Sequence, residues 1–139
     1  MFVAPVTAAL AATTVIFPSR ASGASKYRVL HDVAASDSGP APGALLLDKK
    51  GDLYGAAYGG GAYGDGAVFE LVPSSGSKWK EVIRYSFIGG SQGATPDWGL
   101  ISDAQGNLYG VTPRDGGFSA STVFELSRDA HGWTHRVVH

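Results

Sequence analysis

The sequence predicts an all-β protein built from two tandem repeats, each a four-stranded antiparallel β-meander. Three observations predict this fold: a segment that recurs at a fixed spacing, apolar residues that alternate with period two, and glycine-rich breaks between them. No window of helical length carries an apolar stripe with the period of an α-helix. We therefore expect strands, turns and loops throughout both copies.

The recurring segment is the strongest of these observations. It reads DKKGDLYGAAYGGGAYGDGAVFEL over residues 48–71 and returns 55 positions later as DAQGNLYGVTPRDGGFSASTVFEL over residues 103–126. Ten of the 24 aligned positions are identical: Asp48/Asp103, Gly51/Gly106, Leu53/Leu108, Tyr54/Tyr109, Gly55/Gly110, Gly61/Gly116, Val68/Val123, Phe69/Phe124, Glu70/Glu125 and Leu71/Leu126. Self-similarity at a fixed period is the signature of a repeat architecture.

Each copy is predicted to contain four strands. In the first copy they cover residues 44–48, 53–58, 67–72 and 79–87. In the second copy they cover residues 99–103, 108–112, 122–127 and 133–138. Gly51 and Gly106 stand in the first turn of each copy, where a positive φ is expected. Residues 26–33 resemble the fourth strand and are predicted as a ninth.

The alternation of side chains assigns residues to the two faces of each strand. In the third strand we expect Phe69 and Leu71 on one face, and Val68 and Glu70 on the other. In the fourth strand, period two places four large side chains on one common face: Trp79, Ile83, Tyr85 and Phe87.

Four short antiparallel strands in a 55-residue unit are typical of a β-propeller blade. Because propellers usually have four to eight blades, two repeats predict an incomplete propeller. Residues 137–139 align with residues 82–84, so the second copy stops before the counterpart of residues 85–87. We expect a fragment or truncated member of a longer repeat protein, the alternative being a short protein that self-associates. In either case further repeats or a second copy would cover the open blade faces.

The first 25 residues differ from the repeats. They contain no acidic residue and one basic residue, Arg20, with an apolar run over residues 8–17 and small residues at 22–24. The run has the length of a signal-peptide core and is too short for a stable membrane span. We expect residues 1–25 to be a secretory signal peptide or a disordered leader, followed by repeats at about 26–81 and 82–139. A signal peptide would place the protein outside the cell or in the cell envelope of a bacterium.

Composition excludes several classes of function. The net charge is −1, 17% of the residues are charged, and no basic stripe is visible, so a nucleic acid is not an expected partner. The chain has no cysteine, which excludes disulfides, thiolate zinc sites and cysteine nucleophiles.

Two strings in the sequence resemble a known repeat family. GDLYGAAYGGGAYGDGAVFEL and YSFIGGSQGATPDWGLISDAQGNLYG are similar to the GloVer-type tandem repeat, over about residues 26–139. The second copy departs from the family pattern in its loop, where Pro113, Arg114 and Asp115 replace Tyr58, Gly59 and Gly60, and Ser121 replaces Gly66. The resemblance implies an exported bacterial propeller-like protein, often with a C-terminal sorting anchor. It implies no catalytic residue.

The candidate metal and cofactor motifs do not meet their chemical requirements. The loop at residues 59–66 has no lysine and precedes a strand, whereas a phosphate-binding loop needs both a lysine and a following helix. The turns at Asp48 and Asp103 lack the alternating oxygen ligands of a calcium loop. In a strand, His135 and His139 would lie about 13 Å apart, too far for one metal ion, and His131 is no better placed. We assign no metal and no cofactor.

The candidate catalytic residues have simpler structural explanations. A glycosidase needs two carboxylates in one cleft. Glu70 and Glu125 are the recurrent glutamates, but they occupy equivalent positions on separate units, which favours a repeated structural role. No sequence typical of a serine nucleophile elbow is present. We assign no catalytic residue.

Three aromatic residues are the candidate ligand contacts. Trp79 and Trp133 recur at near-equivalent positions, which favours packing. Trp98 has no counterpart and follows Pro96 and Asp97 at a strand start, so it is the best single candidate. It would act with Tyr63 and Phe118 on the loops at one end of the blades.

The sequence thus leaves three functional hypotheses open. The leading one is a non-catalytic exported repeat protein that serves as an interaction or cell-surface scaffold. The second is a lectin-like module that binds carbohydrate or another ligand through the three loop aromatics. The third is part of a propeller enzyme with its catalytic residues on other blades.

Overall fold

The computed structural model describes residues 27–33, 43–113 and 121–139. Within these ranges eight strands form two four-stranded antiparallel sheets, each with its strands in chain order. The first sheet contains β1 (Leu46–Leu47), β2 (Leu53–Ala57), β3 (Ala67–Ser74) and β4 (Lys78–Ser86). The second contains β5 (Ile101–Ser102), β6 (Leu108–Thr112), β7 (Thr122–Asp129) and β8 (Gly132–Val137). The prediction of an all-β chain with two four-stranded meanders is confirmed.

The recurring glycine and phenylalanine pack against each other across neighbouring strands. Gly55 lies opposite Phe69, and Gly110 lies opposite Phe124. A methyl group added at Gly55 would come within 2.4 Å of the Phe69 ring, and one at Gly110 within 2.5 Å of the Phe124 ring. Each ring therefore covers a position where only glycine fits, which explains why both residues recur.

The recurring aspartate and glycine build the first turn of each sheet. Asp48 Oδ1 accepts hydrogen bonds from the backbone amides of Lys50 and Asp52, at 2.8 and 2.9 Å. Gly51 in this turn has a φ of +92°, a backbone conformation that residues other than glycine rarely adopt. The second sheet repeats the arrangement around Asp103.

The two sheets stack face to back. In the first sheet, we call the face that carries Gly55 and Phe69 the Gly–Phe face. The opposite face, which carries Tyr54 and Glu70, is the Tyr–Glu face. The faces of the second sheet take the same names from the equivalent residues. The Gly–Phe face of the second sheet packs on the Tyr–Glu face of the first. The Phe87 and Phe124 rings meet edge to face across this core, with their centroids 5.1 Å apart. The fully buried residues here include Val68, Phe87, Leu126 and Phe124.

A β-bulge in β4 corrects the predicted faces of that strand. Tyr85 lies opposite Val68 and Ile83 lies opposite Phe69, so Arg84 is an extra residue without its own partner. Because period two holds only while the pairing is unbroken, the bulge moves Tyr85 to the face opposite Ile83. The prediction that Trp79, Ile83, Tyr85 and Phe87 share one face is therefore wrong: the first two lie on the Gly–Phe face, and the last two belong to the inter-sheet core.

The predicted alignment of residues 137–139 with residues 82–84 is wrong by one position. Val137 lies opposite Phe124, as Ile83 lies opposite Phe69. The cause is the turn before each strand, which spans residues 75–77 in the first sheet and residues 130–131 in the second.

The predicted ninth strand is also wrong. Residues 27–33 contain no strand. A strand forms only where its backbone can pair with the edge of another strand. This segment contacts β4 through side chains instead, since His31 Nε2 lies 2.9 Å from Glu81 Oε2. The predicted boundary between the two repeats, at residues 81 and 82, lies within β4 of the first sheet.

Candidate functional site

The recurring glutamates each bind an arginine within their own sheet. Glu70 is 2% exposed and bonds to Arg84; Glu125 is 8% exposed and bonds to Arg136. A buried carboxylate is costly unless it is paired, and both pairs meet that requirement. The structure gives these glutamates a structural role and does not bring them into a common cleft.

The recurring tyrosines complete these polar clusters. The Tyr109 hydroxyl lies 3.1 Å from Asp103 Oδ2 and 3.3 Å from Glu125 Oε1, and it donates to these carboxylates. Burial raises the pKa of Tyr54, and the negative charge of Glu70 raises it further. Desolvation and the charge of Asp103 likewise raise the pKa of Tyr109. Both hydroxyls therefore stay protonated and act as hydrogen-bond donors.

His135 is a packing residue of the inter-sheet core. Its ring stacks on Tyr85, with centroids 4.4 Å apart and planes 7° apart, and its edge approaches Phe87 at 5.7 Å. Burial lowers the pKa of His135, because the charged imidazolium would lose its hydration. His131 lies in the β7–β8 turn and His139 lies beyond β8, so the three histidines do not converge. Across the described ranges, no group of three or more His, Asp or Glu side chains could hold a metal ion.

Two of the three predicted ligand contacts are exposed on loops at the same end of the first sheet. Trp98 is 63% exposed and Tyr63 is 66% exposed. The loop after β2 and the loop after β4 are tied together, since the Thr95 amide donates a 2.7 Å hydrogen bond to the Asp65 carbonyl. Phe118 lies outside the described residues. The role of the three aromatics in binding a ligand stays a prediction.

A second candidate site lies at the opposite end, where the turns of the two sheets meet. A cleft of about 380 Å³ is lined by residues of both sheets. The lining side chains that bear on ligand chemistry are Lys49, Lys50, Tyr54, Arg128 and Trp133. The volume falls within the range of small-ligand sites.

The cleft combines positive charge with an aromatic wall. The Arg128 guanidinium lies 6.0 Å from the centre of the Trp133 ring, and this ring meets Tyr54 edge to face at the same centroid distance, 6.0 Å. Lys49 and Lys50 are exposed at the rim. Asp48 and Asp103 also line the cleft, and each accepts hydrogen bonds from the amides of its own turn. Lys49, Lys50, Arg128 and the indole suit an anionic or carbohydrate group.

Sequence reasoning missed this cleft. Lys49 and Arg128 belong to different copies and are 79 positions apart, and neither recurs in the other copy. Only the stacking of the two sheets brings them together. The one signal in the sequence is the recurring tryptophan, whose recurrence predicts packing. The structure shows that Trp133 both packs and lines the cleft.

Among the residues that the structure describes, no helix has the length and apolar character needed to cross a membrane.

Comparison with known proteins identifies the family. A family model described as the Gloeobacter/Verrucomicrobia repeat matches residues 11–139, and the chain belongs to this family. The resemblance carried by the LYG and VFEL strings is thereby confirmed. No curated protein and no solved structure matches the chain.

Proposed function

We propose that this member of the Gloeobacter/Verrucomicrobia repeat family is a non-catalytic exported protein that serves as an interaction or cell-surface scaffold. The observation that carries the proposal is the use of the recurring polar residues. Asp48 and Asp103 hold turns, and Glu70 and Glu125 hold arginines of their own sheets. These side chains stabilise the repeat, and none is left to act on a substrate. Recognition then falls to exposed residues that differ between the copies.

The proposed architecture is a pair of propeller-type blades. Four antiparallel strands in chain order and the face-to-back stacking of the two sheets support it. In such an arrangement the loops at either end are free to contact a partner. Here one end carries Trp98 and Tyr63, and the other end carries the cleft beside Arg128 and Trp133.

The absence of catalysis is tested with chromogenic substrates. Purified wild-type chain is incubated with a panel of nitrophenyl esters and nitrophenyl glycosides, beside Glu70→Gln and Glu125→Gln variants. We expect no turnover above the buffer rate for any of the three proteins. Turnover by the wild type that either variant removes would contradict the proposal, because it would give a recurring glutamate a chemical role.

Export is tested separately. The chain is expressed in a bacterium with its own residues 1–25 and, in parallel, without residues 2–25. We expect the first form to leave the cytoplasm with a new N-terminus near residues 22–25, and the second to stay inside. Retention of both forms, unprocessed, would contradict the export part of the proposal and leave the scaffold part intact.

A lectin-like function is the second candidate, and the exposure of Trp98 and Tyr63 favours it. Flat aromatic faces open to solvent at 63% and 66% are suited to stacking on sugar rings. A glycan array probed with wild type, Trp98→Ala and Tyr27→Ala provides the test. Tyr27 is the matched control, because it is 90% exposed but lies outside these loops. Binding that only Trp98→Ala removes would support this candidate, and no binding or unchanged binding would exclude it.

A further inference from the structure

We infer that the cleft between the turns of the two sheets binds an acidic saccharide, a sugar whose ring carries a carboxylate. Arg128, Lys49 and Lys50 bind the carboxylate, and Trp133 contacts the sugar ring. A ligand of this class gives the proposed recognition role a chemical partner, and the inference rests on that part of the proposed function alone. Export and the absence of catalysis do not enter it.

The cleft exists only because the two sheets stack. The β1–β2 turn of the first sheet contributes Lys49 and Lys50, and the β5–β6 turn of the second contributes Gln105. The end of β7 and the start of β8 contribute Arg128 and Trp133, which lie opposite each other in the second sheet. The resulting volume of about 380 Å³ suits a small ligand.

The positive charges of the cleft do not belong to the recurring pattern of the repeat. Ala104 and Gln105 stand where the first copy has its two lysines. Pro73 holds the place of Arg128, since each lies opposite the recurring tryptophan of the next strand. Both sheets have the same strand order, so the repeat does not need these charges for its structure. Their convergence on one cleft therefore favours a ligand.

The aspartates at this end of the molecule are bonded to their own turns. Asp48 and Asp103 line the cleft, and each accepts two backbone amides of its turn. Asp129, at the end of β7, accepts two amides of the turn that follows it. The ion pairs within the described ranges are formed by other basic residues, and none involves Arg128 or the two lysines of the cleft. In that part of the chain, the three cations line the cleft without a carboxylate bound to them.

The balance of charge along the cleft favours a singly charged ligand. Three cations and two carboxylates line it, which leaves a net charge of +1. A carboxylate carries one negative charge, whereas a phosphate monoester carries about −1.5 to −2 at pH 7. Because the two aspartates repel the larger negative charge more strongly, a carboxylate fits this cleft better than a phosphate does.

The guanidinium of Arg128 is positioned by the indole beside it. Its central carbon lies 6.0 Å from the centre of the Trp133 ring, a distance at which cation–π attraction acts. Trp133 is in turn fixed by the edge of Tyr54 and by packing on the inter-sheet core. An arginine that is held before binding loses less conformational freedom when its planar fork takes up the two oxygens of a carboxylate.

The neutral groups of the cleft suit the rest of a sugar. Ser102 and Gln105 line the cleft and are exposed, and their side chains can both donate and accept hydrogen bonds with hydroxyl groups. Trp133 is partly exposed, so part of its flat apolar surface can lie against a sugar ring. An acidic peptide offers the carboxylate but not the ring with its hydroxyl groups. The combination of groups therefore favours an acidic saccharide.

The experiment is isothermal titration calorimetry of the full chain with a trisaccharide of galacturonic acid. Its methyl ester has the same sugar rings without the negative charges, and tri-glutamate has carboxylates without the sugar. We expect the acidic trisaccharide to bind. We expect both comparison ligands to bind at least about tenfold more weakly, because each lacks one half of the recognised chemistry.

Variants of the cations assign the binding to this cleft. Arg128→Gln and the double variant Lys49→Gln, Lys50→Gln change exposed side chains, and circular dichroism verifies that both variants are folded. Each should bind the acidic trisaccharide at least about tenfold more weakly than the wild type. Lys80→Gln is the matched control, because it removes one exposed positive charge of the first sheet outside the cleft. Its affinity should stay within about twofold of the wild type, since salt screens a distant surface charge.

The same titrations contain the results that would overturn the inference. The acidic trisaccharide might as a first case give no heat of binding with any protein, and equal affinity for the methyl ester would be a second. Unchanged binding by Arg128→Gln, or binding that is lost in Trp98→Ala instead, would remove the ligand from this cleft. Tighter binding of tri-glutamate or of a sulfated trisaccharide would refute the ligand class. Turnover and export are measured separately, so the inference can fail while the proposed function stands.

Discussion

The first and second sheets share their strand pairing and their recurring residues, yet the same positions differ in exposure. Val68 is fully buried and Val123 is partly exposed, although both precede the recurring phenylalanine and pair with equivalent residues of the neighbouring strand. The difference comes from the neighbour: the second sheet covers the first, while its own Tyr–Glu face remains open. In a repeat protein, burial is therefore a property of stacking as much as of sequence.

The polar clusters show why the same sequence pattern suits both a sheet face that is covered and one that is exposed. Glu70 and Glu125 are each satisfied by an arginine of the same sheet, so neither depends on the neighbouring sheet for its partner. The tyrosine before the recurring glycine has an apolar ring and a polar tip. The Tyr54 ring packs in the inter-sheet core, whereas Tyr109 lies on the Tyr–Glu face of the second sheet, where its hydroxyl donates to Asp103 and Glu125.

The largest expected effect is on the free energy of unfolding, and it differs between Phe124, which lies between the two sheets, and Phe69, which lies on the Gly–Phe face of the first sheet. Phe124→Ala should lower the free energy of unfolding by about 3–5 kcal/mol, because the ring contacts Phe87 and His135 as well as Gly110. Phe69 is equally buried, but among the described residues it forms no aromatic pair, so Phe69→Ala should cost about 1 kcal/mol less. Denaturant unfolding of both variants measures the difference. Equal losses would show that the inter-sheet core is not the main source of stability.

The next effect compares equivalent valines. Val68→Ala should cost about 2 kcal/mol, because it removes fully buried methyl groups and leaves a cavity. Val123→Ala should cost less than about 1 kcal/mol in the monomer, because its side chain is already partly in water. The measurement is urea unfolding at low protein concentration. A cost at Val123 as large as that at Val68 would mean that the second sheet is covered in the monomer.

Local patterns in the sequence predicted much of the fold. The alternation from Leu108 to Thr112 predicted β6 with its observed bounds, and Gly51 predicted a positive φ in the first turn. These features depend on a few consecutive residues. The bulge at Arg84 could not be predicted in this way, because it is defined by the pairing of β4 with β3. The strand predicted at 26–33 was wrong for a related reason: a suitable pattern forms no strand without a partner edge.

The candidate sites also differ in whether the sequence alone could predict them. The exposure of Trp98 was predictable, because the residue has no counterpart in the other copy and stands beside a proline in a loop. The cleft between the turns was not predictable, since Lys49 and Arg128 meet only after the sheets have stacked. The sequence predicted uncovered sheet faces in general, as a consequence of having two repeats. Only the structure shows that the Tyr–Glu face of the second sheet is partly exposed while that of the first is buried.

The turn aspartates provide a smaller comparison. Partial desolvation would raise the pKa of Asp103, but hydrogen bonds from Asn107, Tyr109 and Gln105 outweigh it and lower the pKa. This carboxylate stabilises the fold when the pH is above its ordinary pKa. The stabilisation is lost as the pH falls through its lowered pKa. Asp103→Ala should therefore lower the thermal midpoint at pH 7 more than Asp48→Ala, whose carboxylate accepts only two amide bonds among the described residues. Equal midpoints would show that the additional bonds contribute nothing.

The smallest effect is the pH dependence of the inter-sheet core. Because burial lowers the pKa of His135, the unfolded state takes up a proton first as the pH falls below about 6.5. The free energy of unfolding should then decline between pH 7.5 and pH 5.5, and His135→Phe should flatten that decline. His131→Gln is the control, since this exposed side chain lies in a turn. A decline that persists in His135→Phe would assign the effect to another group.

The most direct test of the central claim is thiol labelling at the two equivalent valines, since the chain contains no cysteine of its own. Val68→Cys and Val123→Cys are prepared separately and exposed to a thiol reagent at a concentration where the chain is monomeric. The thiol at position 123 should react at least about 100-fold faster than the one at position 68, which becomes accessible only when the sheets separate. Equal labelling rates at the two positions in the monomer would contradict the account.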